Sequence, residues 1–338
     1  MKNVYGLTIE EMEEYFLSIG SKKFHAGQLF SWLYEKRIES YEEVTNIKKE
    51  VLEVVSHDYS IAKLKIVDVQ EDVDVCKYLF ELSDGEHIEA VLMKHDYGNS
   101  ICVSSQVGCN MGCRFCESGR RKKVRNLDEM VLQILMIEKL LRMRISHVVV
   151  MGIGEPFDNY DNLIKFLKII NYPKGLAIGA RHITVSTCGI VPKILEFSDF
   201  PLQINLAVSL HAPNNEIRDK IMNINKAYPL DQLIPALKTY LEKTNRRITF
   251  EYILLSGIND SCECALELAK LVKGINCYIN LIPYNETNNL DFKRTNTVQI
   301  MRFYDILKKN SVNVTIRREF GSKISAACGQ LRSKKEEL

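Results

Sequence analysis

Three cysteines on one short stretch, Cys109-Asn-Met-Gly-Cys113-Arg-Phe-Cys116, are the residues with the clearest capacity for chemistry. Thiolates bind iron–sulfur clusters, and a four-iron cubane has four iron corners. A single loop with C-x3-C-x2-C spacing can hold three corners and leave the fourth iron without a protein ligand. An open iron can chelate the amino and carboxylate groups of a bound substrate. A zinc site and a chance cluster are the competing readings. Structural zinc wants four ligands, commonly in two separated pairs, and no second close pair of that spacing follows. Cys262 and Cys264 sit at i, i+2 on an expected helix and face apart.

Other candidates follow the ends of apolar runs. Gly152-Ile-Gly154-Glu155-Pro156 has glycines that let a backbone approach a ligand closely, and Glu155 could accept a hydrogen bond from an ammonium group. Ser186, Ser209-Leu210-His211 and Asn285 stand at equivalent places. Each alone reads equally as a turn residue or a cap. Cys328, in Ala326-Ala-Cys-Gly-Gln330, has the small neighbours of a mobile loop that could bring a thiol to a pocket. A buried structural cysteine is the plainer alternative. Cys102 lies on an expected strand seven residues before the cysteine loop, and Glu89 lies on an expected strand in HIEAV. Strand core and a solvent-facing carboxylate are the bland readings of those two.

The elements that must position these residues are legible as periodicity. Residues 8–57 carry helical spacing, opened by a Thr8/Glu11 capping box. Residues 61–104 read as strands rich in Val, Ile and Leu, with Asp84-Gly85 as a hairpin signal. From ICVSS onward, strand and helix patterns alternate through SHVVVMGIG, HITVST, QINLAVSLH, RITFEYILL, CYINLIPYN and VNVTIRR. Repeated β-then-α units predict an α/β fold with a parallel sheet curled into a full or partial barrel, its site at the C-terminal strand ends. The expected boundaries are an N-terminal helical domain at 1–60, a β extension at 61–98 and the barrel at 99–338.

The 338 residues are 46% hydrophobic and 26% charged, so disorder is not the default. No apolar run is long enough to span a membrane. The N-terminus has no apolar signal core, and the expected location is the cytoplasm. Ten cysteines in such a compartment read as ligands, catalytic groups or small core residues rather than disulfides. Net charge is only +2, but basic residues cluster at Lys22, Lys23, His25, Lys36 and Arg37, at Arg120–Lys123 with Arg125, and at Arg317–Arg318. The run beside the cysteine loop points to phosphate binding; a solvated basic face is the alternative.

Taken together, ICVSSQVGCNMGCRFC, RNL at 125–127, GIGEP, TVST with Gly189, SLHAP, NLIPYN and AACGQL resemble the RlmN and Cfr radical S-adenosylmethionine (SAM) methyltransferases over nearly the whole chain. The resemblance implies a partial (β/α)6 radical SAM barrel, a [4Fe-4S] cluster on Cys109, Cys113 and Cys116, and SAM contacts from Gly154, Glu155, Ser186, Ser209, Leu210, His211 and Asn285. It implies methylation of an adenine ring carbon in 23S rRNA, at C2 for RlmN enzymes, some of which also act on tRNA, and at C8 for Cfr enzymes. SAM would first methylate Cys328. A second SAM, cleaved to a 5′-deoxyadenosyl radical, would take a hydrogen atom from that methyl group. The carbon radical would add to the ring, and Cys102 would release product by forming a disulfide with Cys328. Glu89 matches a proton acceptor or base-positioning group. The N-terminal helices and the basic residues would hold RNA, and the target base would leave its stack to react. The resemblance further implies a flavodoxin or ferredoxin as electron donor, and nothing in the sequence calls for more than a monomer.

The chain departs from the family pattern at Glu117–Val124, at Asn223 in place of a proline, and at Glu286–Asp291. These changes spare the radical machinery and bear on the RNA target. RlmN-like C2 methylation leads, with Cfr-like C8 methylation or a paralog with another RNA target as one alternative. A non-catalytic zinc-containing RNA-binding protein is the other.

Overall fold

A computed structural model describes residues 2–120, 124–287 and 289–317. Cys328 and its segment, Arg318 and residues 121–123 lie outside the described residues. The capping box forms: Thr8 Oγ1 accepts from Glu11 N at 3.3 Å and Glu11 Oε2 accepts from Thr8 N at 3.0 Å. It opens α1 (Ile9–Ser18), which buries Ile9, Met12 and Phe16 at helical spacing. α2 (Lys23–Ser31) packs on α1 through Ala26, Leu29 and Phe30. α2 passes into a wider helical turn at Trp32–Lys36, stopped by Arg37 in the left-handed region. α3 (Lys49–Asp58) completes this part. It is tied to the rest by Arg37 to Glu138, Lys139 to Glu39, and Lys165 to Glu11 at 2.6 Å.

One ten-stranded sheet follows, its strands hydrogen-bonded in strict chain order. β1 (Lys65–Asp72), β2 (Val75–Glu81), β3 (His87–His95) and β4 (Gly98–Cys102) form an antiparallel meander. The Asp84-Gly85 turn between β2 and β3 has Gly85 at φ 81°, a conformation that favours glycine. From β4 the sheet turns parallel through β5 (Ile145–Val150), β6 (Ile183–Thr187), β7 (Asn205–Ser209), β8 (Ile248–Leu254), β9 (Cys277–Pro283) and β10 (Val314–Ile316).

Helices fill the crossovers: α4 (Met130–Leu141), α5 (Tyr160–Asn171), α6 (Val191–Phe197), α7 (Asn215–Ile221), α8 (Leu230–Thr244), α9 (Cys262–Leu271) and α10 (Thr297–Lys309). This is the six-unit β/α barrel with a closing strand that the alternation predicts. β1 and β10 stand at opposite edges, so the barrel is open. Val185, Leu206, Val208, Phe250 and Ile279 join Leu163, Leu167, Leu233, Leu237 and Phe303 in one core. Strand side chains alternate between faces. The residues between those apolar ones, Ser186, Ser209, Glu251 and Asn280, therefore line the other face.

Candidate functional site

The cysteine loop leaves the sheet after β4 and is fixed by paired amide clamps. Gln133 of α4 is fully buried. Its Oε1 accepts from Ser104 N at 2.9 Å and its Nε2 donates to Ser104 O at 2.8 Å. Asn159 Nδ2 donates to Ser105 O and Leu127 O, both at 2.8 Å. Gln106 Oε1 accepts from Glu155 N at 2.9 Å, while its Nε2 donates to Asn126 Oδ1 and Asp158 Oδ2. The RNL segment at 125–127 is therefore a strut between the cysteine loop and the Gly152–Pro156 turn. Asn223, two residues past α7 in a short 3-10 turn, donates to Gly112 O at 3.2 Å, so this departure from the family pattern touches the cysteine loop itself.

Cys109, Cys113 and Cys116 line one cavity together with Gly154, Glu155, Ser186, Ser209 and His211. Two candidates fall elsewhere. Leu210 is fully buried, with its N–H on Glu251 O at 3.1 Å. Asn285 is buried just beyond β9 and is not among the residues lining the cavity. Cys102 and Glu89 share a separate patch. Cys102 pairs with Val91 on β3, and Glu89, two residues along, points to the same face. Cys102 packs with Val75, Val91, Met93 and Ile153, and Met151 links this patch to the cavity wall. Glu89 Oε1 lies 3.3 Å from Lys77 Nζ, both side chains 3% exposed. No disulfide joins any two described cysteines; a Cys102–Cys328 bond would need a residue outside them.

The two glycines line the cavity and also have a reason of their own within the chain. A Cβ on Gly152 would lie 2.7 Å from Val103 O, and one on Gly154 would lie 2.6 Å from Gln106 Cβ. Gly154 also holds φ 107°. Both are required because the 152–154 turn presses on the 103–106 segment of its own chain.

Electrostatics follow from burial. Desolvation pushes the Cys109 thiol up to about 12, with the Cys116 charge adding to it. Burial raises Cys113 well above the ordinary thiol range, reinforced by Cys116 and Cys109. Glu155 is raised by burial but anchored: Oε1 accepts from Phe157 N at 3.1 Å and Oε2 from Cys188 N at 2.8 Å. His211 is held at φ 55° by Asn259 Nδ2 on its carbonyl at 2.7 Å. Its Nδ1 accepts from Ile253 N at 3.0 Å, which places the proton of the neutral ring on Nε2. Burial lowers its pKa to about 3, helped by the Arg218 charge. Phe115 meets the ring edge-on at 4.9 Å.

Sequence reasoning missed two residues. Glu251 lines the cavity, buried, in register with Ser209 and Asn280, and its Oε2 accepts from Asn280 Nδ2 at 2.9 Å. The signal was there: a carboxylate inside RITFEYILL, where a buried parallel strand should be apolar. Arg218 is fully buried behind Cys188 and Ser209. In NEIRDKI it reads as ordinary surface charge, and no sequence signal marks it. Several basic residues are also partnered within the chain: Lys23 with Glu13, Arg120 with Glu117, and Arg125 with Asp84 and Glu129.

The donor set fits an iron–sulfur cluster. Three thiols line one cavity wall, and burial holds the Cys109 and Cys113 thiols protonated until a cation replaces the protons. Among the described residues, no three His, Cys, Asp or Glu side chains converge as ligands of a single ion. In a cubane, each thiolate takes a different iron, so its ligands need not converge.

An open β/α barrel with three cysteines at the first strand end is the architecture of a radical SAM protein. The Radical SAM superfamily profile matches residues 103–269, and that of the ribosomal RNA large subunit methyltransferase N-terminal domain matches residues 2–61. A crystal structure of a radical SAM methyltransferase from Sphaerobacter thermophilus superposes with a TM-score of 0.91 at 38% identity, covering 98% of this chain and 99% of that one. The probable dual-specificity RNA methyltransferase RlmN of Spiroplasma citri is 53% identical over 99% of both chains. That of Enterococcus faecalis is 54% identical over 98% of this chain and 96% of its own. The chain belongs to the RlmN family of radical SAM RNA methyltransferases. No described helix is long and apolar enough to cross a membrane.

Proposed function

We propose that this protein methylates C2 of an adenine in 23S rRNA and in tRNA, acting as a monomer with a flavodoxin or ferredoxin as electron donor. The observation that carries the reading is the meeting of three cysteines, Glu155, Ser186, Ser209 and His211 at one cavity, in a chain related to RlmN proteins from end to end.

Cys109, Cys113 and Cys116 would hold a [4Fe-4S] cluster. When bound with SAM, that cluster supplies a carbon radical able to take a hydrogen atom from an unactivated methyl group. The chain's residues do the positioning. Glu155 presents a buried carboxylate, fixed by two backbone N–H groups, to the ammonium end of SAM. Gly154, Ser186, Ser209 and the Nε2–H of His211 offer further polar contacts. Leu210 contributes through its place between Ser209 and His211, and Asn285 would act from beyond β9, behind the cavity wall. Cys328 carries the methyl group. Cys102 supplies the second thiol, and Glu89 on the same face accepts the proton that leaves the ring. Adenine ring carbons are poor nucleophiles, which is why the thiol-borne methyl group and two cysteines are needed.

The test is nucleoside mass spectrometry on 23S rRNA and tRNA treated with anaerobically reconstituted protein, SAM and reductant, beside a Cys328→Ala control. The expected result is 2-methyladenosine that depends on Cys328. 8-Methyladenosine would overturn the ring position. One bound zinc, without iron or sulfide, would overturn the radical reading.

A further inference from the structure

Arg218, on α7, is the largest side chain among those fully enclosed by the protein. Its donors all go to neutral oxygens. Nε donates to Leu210 O at 3.2 Å, Nη1 to Asn225 Oδ1 at 2.9 Å and Tyr228 O at 3.4 Å, and Nη2 to Cys188 O at 2.7 Å and Ser209 O at 3.3 Å. Among the described residues, no carboxylate lies within ion-pair distance of it. A buried charge is strongly unfavourable unless something of opposite sign offsets it. Asp219, next in the chain, is exposed, and its Oδ1 is taken by Asn225 Nδ2 at 2.8 Å.

The guanidinium borders the cysteine cavity through the backbone of Cys188 and Ser209. Cys188, whose carbonyl holds Nη2, lines the cavity beside Cys109, Cys113 and Cys116. α7 is stitched to the cysteine loop by Arg114 N on Ile221 O at 3.0 Å and by Asn223 on Gly112 O. Cluster loading converts three thiols to thiolates in the same low-dielectric region, where a fixed charge acts strongly.

We propose that Arg218 is the buried counter-charge of the cluster site, offsetting the thiolates when the cluster binds and setting how readily the bound cluster accepts an electron. Cluster potentials respond to net charge and to the groups around the sulfurs. A fixed positive charge favours the reduced, more negative state. The inference rests on the reading of Cys109, Cys113 and Cys116 as cluster ligands.

The experiment compares full-length wild type, Arg218→Gln and Arg218→Lys after anaerobic reconstitution. Iron and sulfide are measured first, then the midpoint potential by a redox titration followed by electron paramagnetic resonance. Wild type should load, Arg218→Gln should load severalfold less and shift to a more negative potential, and Arg218→Lys should stay near wild type. A wild-type potential in loaded Arg218→Gln overturns the proposal. So does a shift in Arg218→Lys as large as that in Arg218→Gln, which would assign the effect to hydrogen-bond geometry. Failure of both variants to fold also overturns it, leaving Arg218 a mechanical tie. Absence of iron in wild type would instead remove the cluster reading itself.

Discussion

The carboxylate of Glu155 and the backbone N–H of Cys188 meet at 2.8 Å, joining the turn after β5 to the turn after β6. The same carboxylate accepts from Phe157 N, so one acid fixes two turns of the cavity rim while facing the cavity itself. Glu155→Ala strands two buried donors. At about 1–3 kcal/mol for each buried group left unsatisfied, the variant should lose roughly 2–6 kcal/mol in urea unfolding of the metal-free protein. Methylation should vanish with it. Glu155→Gln keeps an acceptor oxygen and should recover part of the stability but not the activity. Equal stability of Glu155→Ala and wild type would mean the rim does not depend on this clamp.

Two glycines that look alike in sequence should respond with opposite signs. Gly27 lies in α2 with no atom within 4 Å of a built Cβ. Gly27→Ala should therefore stabilise by about 0.5–1 kcal/mol, the usual helix-interior difference. Gly154→Ala places a methyl 2.6 Å from Gln106 Cβ at φ 107°. It should destabilise by at least about 1–3 kcal/mol, the scale of a strained backbone residue. Thermal melts of both variants check the pair. A neutral Gly154→Ala would show that the 152–154 turn can move off the cysteine loop.

How much of this was readable beforehand depends on whether a residue's role is set locally. The Thr8/Glu11 cap, the Asp84-Gly85 turn and the β-then-α alternation are local patterns, and each forms as read. The cysteine spacing is local too. The partners that fix the site are not: Gln133 lies 29 residues from Ser104, Asn159 lies 54 from Ser105, and Arg218 lies 30 from Cys188. Their polarity reads as surface until the sheet brings them together. The basic residues show the converse. Arg125 and Lys23 suggest an open phosphate surface, yet both are engaged by carboxylates, because pairing depends on which helix or turn arrives opposite.

Cluster loading should depend on pH, with a sign set by the thiols. Burial raises Cys109 to about 12 and Cys113 in the same direction. Near neutrality both are therefore protonated, and loading must release their protons. The thiolate fraction grows with pH everywhere below those raised values. The initial rate of cluster uptake should increase steadily from neutral to mildly alkaline pH, provided the iron and sulfide supply is held constant. Cys109→Ser and Cys113→Ser should each lose the cluster at every pH. Uptake independent of pH would show that the thiols ionise before iron arrives, contrary to their burial.

Lys77 and Glu89 form a buried pair across β2 and β3, with Nζ 3.3 Å from Oε1. Removing one member leaves a charge in a poorly solvating place, an effect of about 3–5 kcal/mol for buried pairs. Lys77→Met should therefore unfold at markedly lower urea than wild type. Glu89→Gln alone should also be destabilised, because it leaves the ammonium with a weaker partner. In the double variant neither charge remains, so the losses should fall short of additive by roughly 0.5–3 kcal/mol, the range for residues in contact. Methylation should separate the roles. Glu89→Gln and the double variant should both lack RNA product, while Lys77→Met should retain a reduced rate that Lys77→Arg restores. Strict additivity of the two stability losses would show that the pair is a proximity without coupling. Glu89 would then owe its orientation to other contacts.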